Sequence, residues 1–400
     1  MKKKYVGLFT SAGLACLPVV ASAAGPTLSD VLVNSGITAN GYVSASYDAT
    51  LNSTNGATAG AVPLHEFDTN SNSFYLNQAA LTLSYLPTSG FGGLVNVIAG
   101  EDAKVINTSY QGGTPSGNDF ALTQGYVQYA VGNLTVIGGR FVTLAGEEVI
   151  DDTKNANISR SLLFTNLEPL VHTGVRATYK VSDLLTVNGG FNNSAFGNSQ
   201  DTNKFKTFEA NATLTPSSTV TIALTDYYGV DGGGASQTKN NFFDVVGSWQ
   251  ATPALLLAVN GDYVRSIGTL NTIPGAIVGS FAGTPGSDTL AGLALYGTYA
   301  INDSWKASLR GEYVYAKGSP AGSDSGIGHV AELTATIDYA AAKSFDVLGE
   351  FREDYGSVTA PGFDAGIFPG ATNTTTGTQK SQTEFLIKAI YKFGTPAPTT

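Results

Sequence analysis

The stretch of sequence that decides the fold is Glu384-Phe-Leu-Ile-Lys-Ala-Ile-Tyr-Lys-Phe393. One set of alternate residues is apolar throughout: Phe385, Ile387, Ala389, Tyr391 and Phe393. The other set carries the three charges: Glu384, Lys388 and Lys392. Because successive side chains of a β-strand point to opposite faces, one face of this strand can meet lipid while the other meets water. The stretch therefore predicts a strand that crosses a membrane.

The same alternation recurs along the chain in sixteen segments. They are residues 37–47, 74–85, 92–100, 120–129, 134–141, 171–179, 185–192, 206–214, 219–228, 241–249, 254–265, 290–299, 304–315, 329–339, 344–355 and 383–393. The connections between them alternate between short turns and long polar loops. An even strand count with this asymmetry is typical of bacterial outer-membrane barrels. We predict an all-β fold, a transmembrane antiparallel β-barrel of 16 strands over residues 37–393, with short periplasmic turns and long external loops.

Aromatic residues mark both ends of these segments. In fourteen of the sixteen, the last apolar-face residue before the chain turns is aromatic, although aromatics make up only 10% of the sequence. Before short turns they are Tyr85, Tyr129, Tyr179, Trp249, Tyr299, Tyr339 and Phe393; before long loops they are Tyr47, Phe141, Phe191, Tyr228, Tyr263, Tyr313 and Phe351. Amphipathic rings settle at the headgroup level of a bilayer. The pattern predicts two aromatic belts.

The composition and the first residues indicate export to the bacterial outer membrane. Residues 1–23 read as a signal peptide, with Lys2, Lys3 and Lys4, an apolar stretch, and cleavage after Ala23. Charged residues are 13% of the chain, against about 25% in soluble domains, and no apolar run is long enough for a helical span. The net charge of −10 argues against a nucleic-acid footprint.

The flanks of the barrel carry smaller predictions. Residues 24–36 are expected to form a short periplasmic segment with one or two helical turns, and residues 394–400 a disordered tail. The strand ending at Phe393 resembles the signal that the barrel-assembly machinery recognises.

Several stretches resemble the OmpL-like outer-membrane β-barrel porins. They include Tyr75-Leu-Asn-Gln-Ala-Ala-Leu-Thr-Leu83, Gly90-Phe-Gly-Gly-Leu-Val95, Gly100-Glu-Asp-Ala103, Gln124-Gly-Tyr-Val-Gln-Tyr129, Gly138-Gly-Arg-Phe141 with Gly146-Glu-Glu148, and Asn157-Ile-Ser-Arg-Ser161 through His172-Thr-Gly-Val175. The resemblance implies a passive channel for ions and small hydrophilic solutes. By analogy with general porins, it also implies a homotrimer in the lipid bilayer and a third external loop folded into the lumen.

By position, residues 142–170 are that third loop. The predicted pore-constriction residues are Glu147, Glu148, Asp151, Asp152 and Arg160. Acidic residues outnumber basic ones in the loop, and charge near a constriction sets ion preference. We therefore expect a slight preference for cations. Calcium at the clustered carboxylates is an alternative reason for their grouping.

The inward parity of the strands supplies charges to the wall. The predicted pore-lining residues are Arg140, Arg176, Glu209, Asp244, Arg310, Glu312, Glu332, Glu350, Arg352 and Lys388. Two interpretations stay open for each of them. It lines the water-filled channel, or it pairs with a neighbour and holds the wall together.

Other functions are less well supported by the sequence. The three His residues, His65, His172 and His329, have no evident Ser partner for nucleophilic catalysis, and we predict that the protein is not an enzyme. The stretch beginning at Asp68 lacks the Gly and Glu of a calcium loop. No cofactor motif or metal site is predicted. A non-conducting surface barrel whose long loops bind partners remains the alternative.

Overall fold

The computed structural model describes residues 28–51, 64–68, 71–109, 118–196, 201, 203–232, 237–269, 285–320, 326–360, 363–366 and 380–395. The predicted signal peptide, residues 24–27 and residues 396–400 lie outside this set. None of the helices within it is long and apolar enough to span a bilayer.

Within the described part of the chain, seventeen strands make one continuous sheet. Their bounds are β1 Thr38–Thr50, β2 Ser73–Tyr85, β3 Gly90–Ala99, β4 Phe120–Val131, β5 Leu134–Val142, β6 Val171–Lys180, β7 Leu185–Asn192, β8 Thr207–Ser217, β9 Val220–Asp231, β10 Thr238–Thr252, β11 Leu255–Thr269, β12 Pro285–Ala300, β13 Trp305–Pro320, β14 Gly326–Ala342, β15 Phe345–Ala360, β16 Phe363–Gly366 and β17 Ser381–Gly394.

The sheet is a closed antiparallel barrel of sixteen strands. Successive strands pair with one another, and β1 closes the wall against β17 in a register that runs from Asn40↔Gly394 to Thr50↔Glu384. The remaining strand, β16, is a four-residue addition that pairs with the loop end of β15. β17 also pairs directly with β15. The predicted fold is confirmed, because each of the sixteen predicted segments coincides with a wall strand.

The strands extend further than predicted, mainly at the long-loop end. β14, for example, begins at Gly326 rather than at residue 329. Hydrogen bonds between paired strands do not depend on lipid, so the hairpins continue beyond the aromatic residues.

At the seam between β1 and β17, Gly394 still belongs to β17, and the Thr395 N–H donates to the Ala39 carbonyl at 2.8 Å. Residues 394 and 395 are therefore part of the seam, and the rest of the predicted tail lies outside the described residues.

Three α-helices and one 3₁₀ turn accompany the barrel within the described residues. α1, Leu28–Ser35, agrees with the helical turns predicted before the first strand. α2, Glu101–Ser109, lies in the second long loop and was not predicted. The third long loop contains the 3₁₀ turn Asp152–Lys154 and α3, Leu162–Asn166.

The predicted parity is wrong in β5. Phe141 is only 1% exposed, and the Arg176 guanidinium lies 4.3 Å from its ring, so Phe141 faces the lumen. Arg140 pairs with Gly125 and Thr173, but it follows Gly139, whose φ of 137° interrupts the regular alternation, and it is only 9% exposed. Arg140 therefore does not lie on the exposed outer surface of the barrel, and its assignment to the pore lining stays a prediction. Both parities of β5 carry large apolar residues, so the aromatic ring did not identify the lipid face.

Closure of the barrel leaves no room for a side chain at Gly41 in β1. A Cβ there would lie 2.5 Å from a ring carbon of Phe393 and 2.6 Å from the Ala80 carbonyl oxygen. Gly41→Ala should lower the free energy of unfolding by about 1–3 kcal/mol, because overpacking forces neighbours to move. Urea unfolding in detergent, followed by tryptophan fluorescence, measures this. The matched control is Gly349→Ala in β15, where a Cβ meets nothing within 4 Å; equal effects of the two changes would contradict the prediction.

Candidate functional site: a loop anchored inside the barrel

Residues 143–170, the lumen loop, lie inside the barrel. Every residue from 157 to 170 is buried, which a loop at the outer surface would not be. The lumen loop makes hydrogen bonds to wall strands on several sides, from β1 and β2 through β9, β11 and β13 to β17. It therefore crosses the lumen.

Wall carboxylates hold the backbone of the lumen loop. Glu350 of β15 accepts hydrogen bonds from the N–H groups of Ile158 at 2.5 Å and Ser159 at 2.9 Å. Glu312 of β13 accepts from the N–H groups of Leu162 at 3.0 Å and Leu163 at 3.1 Å. The latter two are the first N–H groups of α3, which have no partner within the helix. These two side chains therefore satisfy peptide groups that burial would otherwise leave unpaired.

Two buried arginines connect the wall to the loop. The Arg310 guanidinium donates from Nη1 to Glu148 Oε1 at 2.7 Å and to the Ser159 carbonyl at 2.8 Å, and from Nε to Glu332 Oε1 at 2.9 Å. Arg352 donates to the Arg160 carbonyl at 2.7 Å. Both arginine side chains are completely buried, so their contacts are shielded from water and salt.

Asp152 is the main anionic anchor of the loop. It accepts from Arg160 Nη2 at 2.6 Å, Ser44 Oγ at 2.6 Å and Lys388 Nζ at 3.1 Å. Burial alone would raise the pKa of Asp152, but Lys388 and Arg160 hold it down to about 2. The carboxylate is therefore charged at neutral pH and fully paired.

Glu147 and Asp151 keep part of their surface free. Glu147 borders a cavity of about 90 Å³ beside β11 and β12, and Asp151 borders a cavity of about 230 Å³ beside β1 to β5. Burial, together with the charges of Glu148 and Asp244, raises the pKa of Glu147 to about 7. Of the five predicted constriction residues, Glu148, Asp152 and Arg160 are instead buried. Glu147 and Asp151 are therefore the two carboxylates of this set that keep exposed surface, although Glu148 also borders both cavities.

The remaining predicted wall residues face the lumen as their parity requires. Arg176 donates from Nε to Glu209 Oε1 at 2.5 Å, across β7. Asp244 accepts from Asn260 at 2.9 Å and lies beside Asp262 in the paired strand. Burial, and then the charges of Asp262 and Asp244, raise the pKa of the loop residue Glu168 well above its usual range. The sequence analysis did not predict this group of three carboxylates.

A row of small polar side chains follows the inward face of four strands, β6 to β9. Thr178 Oγ1 donates to Asn188 Oδ1 at 2.5 Å, Asn188 Nδ2 to Asn211 Oδ1 at 2.8 Å, and Asn211 Nδ2 to Thr225 Oγ1 at 2.9 Å. Thr178 and Asn188 are partly exposed to the lumen. This polar row gives one side of the lumen a hydrophilic surface.

Each His side chain has a contact other than a Ser hydroxyl. His65 Nδ1 lies 3.1 Å from Glu384 Oε2, His172 Nδ1 lies 3.3 Å from the Ser194 carbonyl, and His329 Nδ1 lies 2.6 Å from the Tyr313 hydroxyl. A nucleophile needs a base within hydrogen-bond reach. These contacts do not form such a pair.

Comparisons with known proteins agree with this architecture. Residues 36–393 match the family model described as "Putative beta-barrel porin-2, OmpL-like". No curated relative matches the sequence. Similar solved structures include the channel DcaP of Acinetobacter baumannii (TM-score 0.60, 12% identity, 89% of this chain and 97% of that chain). They also include an anion-selective porin from Comamonas acidovorans (0.57, 11%, 89% and 99%), and OmpT of Vibrio cholerae in its trimer form (0.57, 15%, 89% and 99%). At these identities the similarity concerns the fold alone.

Removal of the Arg310 guanidinium should loosen the lumen loop. Arg310→Met leaves Glu148 and Glu332 without their buried cation, and breaking one side of such a pair costs about 3–5 kcal/mol of unfolding free energy. The control is Lys306→Met on the same face of β13, where the ion pair to Asp338 spans 3.5 Å and the Lys side chain is 57% exposed. The control should cost at most about 1 kcal/mol. Urea unfolding compares the two, and equal losses would contradict the anchoring role.

Proposed function

The chain belongs to the OmpL-like family of β-barrel porins, and from this membership we propose that it is a passive channel of the bacterial outer membrane for ions and small hydrophilic solutes. A barrel of sixteen strands is wide enough to enclose an aqueous channel. The observation that supports the proposal is the lumen loop, which crosses the barrel, together with the small polar side chains along the inward face of β6 to β9. We propose no catalytic role.

We further propose a slight preference for cations. Three buried wall arginines are engaged, because Arg176 pairs with Glu209, Arg310 with Glu148 and Glu332, and Arg352 with Asp354. The fourth, Arg140, has no hydrogen-bond partner for its Nε and Nη2 atoms among the described residues. Glu147 and Asp151 keep partly exposed carboxylates beside the cavities. The anion-selective porin shares the fold at 11% identity. Because selectivity depends on the side chains at the constriction, the preference of that porin does not carry over.

The proposed partners follow from the proposal that the protein is an outer-membrane channel. They are the lipid bilayer, which the apolar outer face fits, and the barrel-assembly machinery, which would recognise the strand ending at Phe393. Export would remove the signal peptide after Ala23. A homotrimer is proposed because OmpT of Vibrio cholerae has a trimer form on a similar fold.

Single-channel recording in a planar bilayer tests the channel directly. The refolded mature protein should produce stable ohmic steps, and a trimer should produce them in groups of three. A bilayer that stays sealed, with protein shown to be folded by its mobility on an unheated SDS gel, would contradict a diffusion channel. That result would favour a barrel whose long loops bind partners.

The cation preference should depend on Glu147 and on pH. Since the pKa of Glu147 is raised to about 7, the carboxylate is protonated at pH 5 and charged at pH 8. The permeability ratio of K⁺ to Cl⁻, obtained from the reversal potential in a KCl gradient, should therefore rise between these values. We expect a rise of roughly twofold, because one partly hydrated charge contributes under ~1 kcal/mol.

Two variants isolate this effect. Glu147→Gln should have a low ratio at both pH values and lose most of the change. Asp183→Asn makes the same charge change in the turn between β6 and β7, where the carboxylate side chain is 98% exposed, and should behave as the wild type. A wild-type ratio that stays constant from pH 5 to pH 8 would count against Glu147 as a selectivity group.

A further inference from the structure

The first long loop enters the barrel beside the seam between β1 and β17. Its described residues Leu64, His65, Phe67 and Asp68 are all buried. Asn166 of the lumen loop donates to the Leu64 carbonyl at 3.2 Å, and the rings of Phe67 and Phe164 lie 5.6 Å apart. The two loops therefore pack on each other inside the long-loop end of the barrel.

Three metal-ligating groups meet at this point. His65 Nδ1 lies 3.1 Å from Glu384 Oε2 and 3.3 Å from Asp68 Oδ2, and one ligand atom from each residue lies within 4.8 Å of the others. All three residues are buried. Ligands at 2.0–2.2 Å around a tetrahedral ion are separated by about 3.3–3.6 Å, and slightly less in octahedral geometry. The spacing fits a common metal ion.

The other imidazole nitrogen faces a second carboxylate. His65 Nε2 lies 3.2 Å from Asp354 Oδ2, and Arg352 Nη2 donates to Asp354 at 2.9 Å. Histidines that bind a metal through one nitrogen commonly direct the other toward a carboxylate, which orients the ring. The surroundings of His65 therefore have the arrangement that such a ligand requires.

An unpartnered carboxylate provides independent support. Asp48 of β1 is fully buried, and neither of its carboxylate oxygens has a hydrogen-bond partner among the described residues. The charges of Glu384, Asp68 and His65 act on it. Four buried carboxylates, those of Asp48, Asp68, Asp354 and Glu384, thus surround one imidazole and the guanidinium of Arg352. A buried charge needs a counter-charge, and four ionised carboxylates would outnumber the two cations even with His65 protonated.

We propose that His65, Asp68 and Glu384 bind one divalent transition-metal ion, with Zn²⁺ as the best match. A nitrogen ligand combined with carboxylate oxygens suits Zn²⁺, whereas Ca²⁺ takes oxygen ligands. The ion offsets the negative excess and joins the first long loop to β17, next to β1. Its role is to fasten this loop across the seam of the barrel.

Metal binding to the untagged, chelator-treated mature protein in detergent tests this proposal. Titration calorimetry with Zn²⁺, together with elemental analysis after gel filtration, should give about one Zn²⁺ per chain, and the unfolding temperature should rise on addition of Zn²⁺. Absence of stoichiometric binding to the folded wild type would overturn the proposal. Preferential binding of Ca²⁺ would overturn the assignment of a nitrogen ligand.

Substitutions of the proposed ligands test where the ion binds. His65→Gln and Glu384→Gln should lose the stoichiometric binding, and Asp354→Asn should weaken it by about 10–100-fold through loss of ring orientation. The control is His329→Gln, which removes a histidine at the same end of the barrel. His329 contacts Tyr313 instead of the proposed site, so this variant should bind Zn²⁺ as the wild type does. If the His65→Gln protein fails to fold, Asp68→Asn removes a ligand from the loop and leaves the strands unchanged. Wild-type affinity for Zn²⁺ in whichever of these two loop variants folds would overturn the site. Single-channel recording of the same samples distinguishes this outcome from failure of the proposed channel.

Discussion

The peptide groups of the lumen loop have to be satisfied inside the barrel, and the rest of the interior is arranged around that requirement. A buried N–H without an acceptor costs about as much as a lost hydrogen bond. Glu312 and Glu350 accept two N–H groups each, while Arg310 and Arg352 donate to loop carbonyls. Four wall side chains therefore replace the water that an external loop would use, and they hold the segment from Ile158 to Leu163 in one position.

This arrangement also decides which charges face open space. Glu148 and Asp152 neutralise Arg310, Arg160 and Lys388 by direct contact, so they act as anchors rather than as a field across an aperture. Glu147 and Asp151 adjoin the cavities because no wall cation reaches them among the contacts of the described residues; the nearest cation to Asp151 is Lys154 in its own loop, at 3.6 Å. The division between paired and free carboxylates is a property of three-dimensional placement and cannot be seen in the order of residues.

The wall strands were predictable because side chains alternate between two faces every two residues. In each of the sixteen strands, one face must be apolar to meet lipid. The parity of Arg310, Glu312 and Glu350 followed from it directly. The prediction was wrong in β5, where Ile137 and Phe141 share one face and Leu134 and Val136 the other. The group around His65 was not predicted, because Glu384 lies 319 positions along the chain from it and closure of the barrel alone brings the two together. Contacts across the seam have no local signal.

The reach of the lumen loop has a consequence for how the protein is made. The loop precedes β6 in the chain, yet its anchors Arg310, Glu350 and Lys388 belong to β13, β15 and β17. These partners emerge last during synthesis and translocation, so the loop cannot reach its final position until most of the wall exists. Docking of the loop is therefore a late step of assembly, coupled to the pairing of β1 with β17, and an unfinished barrel is expected to be wider and leakier than the completed one.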